Sequence, residues 1–199
     1  MPRALLLILL GTLAGAVGAA TPAAPAAAPR LKAGVLSPVM TAPALALMGT
    51  DGQPLNLERF RGKVVLLAFG FSNCGEVCPI TLATLAGARR KLGDDAAREV
   101  QVVYVTVDPE RDTAGQMKKF LGAFDRSFVG GVGTRAQIDA AQKSFGISSS
   151  RSVNADGSYT IGHSSSIYMI DRAGGLRAVM PYGHPVEDFV HDLRILLRG

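Results

Sequence analysis

Tryptophan is absent from this chain, aromatic residues make up 6% of it, and only two cysteines and three histidines occur in its 199 residues. With so few aromatics, a platform for stacking nucleic-acid bases has little to be built from. The formal charge of +5 does not help, because Arg30 and Lys32, Arg89-Arg90-Lys91, Lys118-Lys119, Arg194 and Arg198 are scattered along the chain. Nucleic-acid binders gather such charge on one face with aromatics between. These charges read as solvated helix ends, and no nucleic-acid partner is expected. An apolar share of 48% gives ample material for a core, so the length fits one domain plus a leader.

The leader carries one charge, Arg3, followed by an uncharged apolar run from Ala4 to Ala20 with small residues at Val17-Gly18-Ala19. That is the pattern of an export signal cleaved near Ala19. The run is also nearly long enough to span a bilayer, so an uncleaved single-span anchor is the rival reading. No cysteine lies in the leader to carry a diacylglyceryl lipid. Residues 1–20 are therefore expected to be a signal peptide or anchor, and residues 21–33, rich in Ala and Pro, a flexible linker. The folded domain is expected over 34–199, outside the cytoplasm, in a bacterial periplasm and either free or tethered to the inner membrane.

Within that domain, Val64 to Phe69 is a continuous apolar run without alternation, the pattern of a strand buried on both faces. Pro79 and "ITLATLAGARRKL" predict a helix opening near Cys78, with proline tolerated in its first turn. "VQVVYVTV" is a second buried strand, and Thr113 is placed to cap a second helix. A short "FVGGVG" strand or loop and a third helix ending at Gly146 follow, then a polar stretch, Ser148 to Gly157, read as an exposed loop or hairpin tip. A strand, a turn over Asp171 to Gly175, a returning strand and a helix from Pro185 to Leu197 close the chain. This order, βαβα then ββα, predicts an α/β fold of thioredoxin-like type: a mixed central sheet with flanking helices.

The two cysteines, Cys74 and Cys78, sit at the first strand-to-helix turn. A thioredoxin-type redox pair reads C-x-x-C, whereas here three residues intervene. In an exported protein a structural disulfide is the ordinary use of such a pair, yet a loop this short constrains the unfolded chain little. The positive end of the helix dipole is expected to favour thiolate at both positions. Residues four apart at a helix start share a face, so two thiolates there can converge on one soft ion such as Cu(I), and a third ligand would help hold Cu(II). Of the histidines, His191 lies inside the last helix and His184 stands in a Gly-His-Pro turn. His163, just before a strand that can return it to the cysteine edge, is the best candidate. Met117, Met169 and Met180 are available thioethers, but the first two lie in apolar patterns and read as core.

"FGFSNCGEVCP", "VYVTVDPERDT" and "YTIGHSSSIYMID" together resemble the Sco/SenC copper chaperones, in which CxxxCP, DPERDT and a distal histidine occur in that order. The likeness runs from about Leu47 to the last helix. It implies a thioredoxin-like domain with a β-hairpin carrying the distal histidine, copper as Cu(I), Cu(II) or both, and Cys74, Cys78 and His163 as its ligands. It further implies delivery of copper to the CuA site of cytochrome c oxidase, with reduction of that site's cysteines alongside. Expected partners are the apo-CuA subunit or another cuproprotein, and other copper chaperones or thiol reductases. Asp108 is expected either to contact the site or order the partner surface, or else to start a turn, with Arg111 paired to a carboxylate. Tyr159 is expected to shield the site or pack the hairpin.

The family commonly has Pro and Asp after the first cysteine, where this chain has Gly75 and Glu76. Glycine loosens that turn, while Glu76 keeps a carboxylate at the helix start. A dedicated periplasmic thiol-disulfide oxidoreductase, using Cys74 and Cys78 without copper delivery, is the alternative. A thiol peroxidase is disfavoured, because "LAFGFSN" before Cys74 lacks the P-x-x-x-T-x-x-C run such enzymes use.

Overall fold

The computed structural model describes residues 30–199; the leader and the first part of the linker lie outside the described residues. The chain forms β1 (Gly34–Thr41), β2 (Leu47–Gly49), β3 (Pro54–Leu55), β4 (Val64–Gly70), α1 (Val77–Leu92), α2 (Asp94–Arg98), β5 (Val100–Thr106), α3 (Ala114–Gly122) and β6 (Val129–Val132). It continues with α4 (Arg135–Ser144), β7 (Ser149–Val153), β8 (Tyr159–His163), β9 (Ser166–Ile170), β10 (Gly175–Pro181) and α5 (Val186–Leu196).

Eight strands form one sheet in the order β1-β10-β9-β4-β5-β6-β2-β3, and β7 and β8 form a separate two-stranded ribbon. β4, β5 and β6 run parallel, while β9, β10 and β1 add antiparallel strands on one side. Every residue of β4 and β5 is buried, including the polar Gln101 and Thr106 of β5, as central strands with helices covering the sheet require. α1 and α5 pack against each other, and α3 packs on β6. Thr113 and Thr134 each close a capping box, with Gln116 and Gln137 respectively.

Two placements matter for the site. In the parallel pair, Val64 stands opposite Val100 and Gly70 opposite Thr106, so both strands end level and their following loops leave side by side. The antiparallel β9 brings Ile167 opposite Ala68, so the segment before β9, which contains His163, arrives at the same end of β4.

Several elements were not foreseen. β1 is exposed along nearly its whole length and carries Pro38, so it shows no apolar pattern, and it is held as an edge by pairing with β10. β2, β3 and α2 span only three, two and five residues, too short for periodicity to register. The packed region also begins inside the stretch read as a linker. The backbone N–H groups of Lys32 and Ala33 donate to the buried Asp192 carboxylate at 2.7 and 2.9 Å, and Ala33 is buried.

Candidate metal centre

Cys78 is the second residue of α1, and its side chain is buried; Cys74 lies half-buried in the loop before the helix, and both are free thiols. The helix start has no side-chain cap: Glu76 occupies the N-cap position, exposed and without a capping bond. The expected thiolate at Cys78 is not what this environment favours. Burial, reinforced by the neighbouring Cys74, pushes the Cys78 thiol up to about 12. The helix dipole acts within one turn, but here desolvation of a sulfur inside the core outweighs it.

His163 ends β8, whose partner β7 runs back from Val153 opposite Tyr159 to Ser149 opposite His163. The polar stretch therefore forms a hairpin, with its tip over residues 154–158 and the distal histidine at its base. His163 Nε2 stands 3.9 Å from Cys78 Sγ. Its Nδ1 is 2.9 Å from the Ser164 carbonyl, which can only accept, so the proton sits on Nδ1 and the Nε2 lone pair is free to act as a ligand. Partial burial holds this imidazole's pKa below its ordinary value, and the ring packs edge-on to Phe71 at 6.0 Å. The ring is thus oriented, neutral at pH 7 and directed at sulfur.

The "DPERDT" segment supports the two halves of this arrangement. Asp108 is wholly buried and pairs with Arg111, while the Tyr159 hydroxyl donates to it at 2.8 Å. Arg111 also donates to the Tyr159 carbonyl at 3.2 Å and lies over the Tyr159 ring at 3.8 Å. Asp108 is thus ion-paired in the turn after β5 and joined to the hairpin through Tyr159. Asp112, which the sequence did not single out, ties down the cysteine loop. It accepts from the Ser72 N–H at 3.2 Å, from the Ser72 hydroxyl and from the Thr106 hydroxyl at 2.6 Å. The level ends of β4 and β5 make that link possible.

The other candidates fall away from the site. His184 Nδ1 pairs with Asp188 in the first turn of α5, and His191 with the buried Asp192, each at 2.9 Å. Met117, Met169 and Met180 are all fully buried in the core. Glu76 touches nothing that would orient it. Among the described residues, no three His, Cys, Asp or Glu side chains converge tightly enough to hold an ion. Cys78 lies 3.9 Å from His163, and closing Cys74, Cys78 and His163 around one centre requires these side chains to draw closer together. The donors themselves, two sulfurs and an imidazole nitrogen, fit a soft or borderline ion rather than Mg²⁺ or Ca²⁺.

Fold and site together define a thioredoxin-like domain with a thiol pair at the first strand-to-helix turn and a hairpin histidine closing on it. The SCO1/SenC family model matches residues 38–198, and the chain belongs to that family. A Stutzerimonas stutzeri protein named as copper-binding is 30% identical over 135 residues, 68% of this chain and 66% of that protein. The solved structure of Bradyrhizobium japonicum ScoI with copper bound is 30% identical, with a TM-score of 0.73, covering 79% of this chain and 100% of that one. The structure of BsSco, described through a disulfide switch and as a member of the Sco family of cytochrome c oxidase assembly proteins, is 25% identical with a TM-score of 0.61. That match covers 80% of this chain and 95% of the other. The chain spans 37% to 66% of the length of the first curated relatives it matches.

Proposed function

We propose that this protein is an exported copper chaperone that binds copper through Cys74 Sγ, Cys78 Sγ and His163 Nε2 and hands it to the CuA site of cytochrome c oxidase. The observation that carries this reading is the 3.9 Å approach of an Nδ1-protonated His163 to the Cys78 sulfur. A histidine held only for packing would not need its free lone pair aimed at a thiol. Copper is the cargo: two sulfurs suit Cu(I), and the imidazole extends the set to Cu(II). The thiol proton of Cys78 leaves when the ion is taken up, so binding and proton release are linked. The leader supports placement in the periplasm, free or on the inner membrane, where an apo-CuA subunit, other copper chaperones and thiol reductases are accessible.

The same thiols support a second activity, reduction of the target's cysteines. Cys74, the more exposed sulfur, would attack a target disulfide to give a mixed disulfide. Cys78 would then displace the target as a dithiol, leaving a Cys74–Cys78 disulfide that a reductant must reopen. The oxidised form has lost both sulfur ligands, so the redox state gates copper binding.

Anaerobic copper titration of the reduced protein and of His163→Ala tests the proposal. One copper per chain with thiolate charge-transfer bands is expected for the wild type, with Cu(II) affinity reduced in the variant and both lost after oxidation. Undiminished Cu(II) affinity and an unchanged spectrum in His163→Ala would remove the histidine from the ligand set. No stoichiometric uptake by the wild type would leave thiol-disulfide exchange as the activity.

A further inference from the structure

Tyr104 lies in the middle of β5, is wholly buried, and reads as a core aromatic. Its hydroxyl, however, ends beside the metal centre. A Cβ built on Gly70 would sit 1.8 Å from Tyr104 Oη and 2.9 Å from Cys78 Sγ, so the phenol oxygen and the sulfur crowd around one point that only a glycine leaves open. Tyr104, Cys78 and His163 line the same narrow cleft, with Ala68, Phe69 and Ile167 as its apolar walls. The hydroxyl and the sulfur are therefore immediate neighbours in that cleft.

We infer that Tyr104 is a positioning residue of the centre, its O–H donating to the Cys78 sulfur and biasing bound copper toward Cu(I). The inference rests on the copper-binding reading above. A donor aimed at a metal-bound thiolate stabilises the state in which more negative charge rests on that sulfur. One-electron reduction of Cu(II) leaves the centre one charge more negative, so Cu(I) gains more from the bond. The cleft excludes water that would otherwise satisfy the sulfur, which strengthens the effect. Gly70 is the second member of the device, since any side chain there would displace the hydroxyl or the sulfur. Neither residue touches copper; Tyr104 acts through Cys78.

The test compares wild type with Tyr104→Phe, which keeps the ring and removes the donor. Reduction potentials of the copper-loaded proteins are read by redox titration, together with the thiolate-to-Cu(II) absorption bands. The variant is expected to bind one copper as before, with the Cu(I)-to-Cu(II) affinity ratio about tenfold lower, a fall of about 59 mV. Its charge-transfer band is expected to move to lower energy, because the sulfur orbitals are no longer stabilised. In the metal-free wild type, the Tyr104 hydroxyl proton is expected as a slowly exchanging resonance with a nuclear Overhauser contact to the Cys78 β-protons. Superimposable potentials and bands, or a hydroxyl in fast exchange with water, would overturn the role of Tyr104 while leaving copper binding intact. A wild type that takes up no copper would overturn the chaperone reading and this role with it.

Discussion

Tyr159 Oη donates to Asp108 Oδ1 at 2.8 Å, and through this bond the hairpin that carries His163 is fastened to the loop after β5. The acceptor is fully buried and already paired with Arg111, whose guanidinium also lies over the Tyr159 ring. The histidine proposed as third ligand is therefore held in place by residues outside the proposed ligand set. Tyr159→Phe is expected to cost about 1–2 kcal/mol of stability by removing a bond to a charged acceptor. The larger effect falls on the hairpin, whose loosened His163 should weaken Cu(II) binding and leave Cu(I) binding, carried by sulfur, nearly unchanged. Urea unfolding and paired titrations check both; equal losses for the two oxidation states would show that the hairpin anchor does not act through His163.

The cysteine loop has a separate anchor. Asp112 receives the Ser72 N–H and hydroxyl and the Thr106 hydroxyl, and it is buried, so Asp112→Ala removes the acceptor of three donors, of which the Thr106 hydroxyl is fully buried. A stability loss of about 2–3 kcal/mol is expected. The Cys74 loop should become mobile, and hydrogen exchange of the Ser72 amide should rise. Copper release to a chelator should quicken with it. Retained protection at Ser72 would place the anchor elsewhere.

Proton release gives a third check. The Cys78 thiol is pushed up to about 12, so it is protonated throughout the neutral range and, as a proposed ligand, must lose that proton to take up the metal. The conditional copper affinity should therefore rise with pH, by up to about tenfold per unit for each proton displaced. His163, held below its ordinary pKa by burial, is already neutral at pH 7 and should add no slope until the solution becomes acidic. Calorimetry in buffers of different ionisation enthalpy should count at least one proton per copper, a count that falls in Cys78→Ser and is unchanged at pH 7 in His163→Ala. A count of zero in the wild type would mean that Cys78 is not a ligand.

The parts of the fold legible in the sequence are those whose environment is uniform along their length. β4 and β5 are buried on both faces, β4 reading as an unbroken apolar run and β5 as a largely apolar one, and Thr113 announces α3 by its capping chemistry. β1 and β7 escape because nearly all their residues face solvent and they are held mainly by backbone pairing with β10 and β8. At the site, Cys74 and Cys78 are evident from their placement, but His163 meets Cys78 across 85 residues, and its place before a returning strand together with the ordered resemblance to a known family points to it. Tyr104 gave one unread signal. Gly70, ending a strand that is otherwise packed with side chains, marks a close approach by some other group, and that group is the Tyr104 hydroxyl.

The departure at Gly75-Glu76 leads to a last prediction. Gly75 is exposed, its backbone lies outside the left-handed region that favours glycine, and a Cβ built there meets nothing within 4 Å. No steric reason therefore requires glycine between Cys74 and the helix. Its effect is on the unfolded chain and on the freedom of the loop that carries Cys74, one of the three proposed ligands. Gly75→Ala is expected to stabilise the fold by about 0.4–1 kcal/mol, because the unfolded chain has fewer conformations to lose. The restricted loop should also lower the ordering cost of binding, giving tighter copper affinity with slower release to an acceptor. If the variant is more stable but its affinity and release rate match the wild type, Cys74 reaches the ion without help from the turn, and the glycine has no bearing on copper transfer.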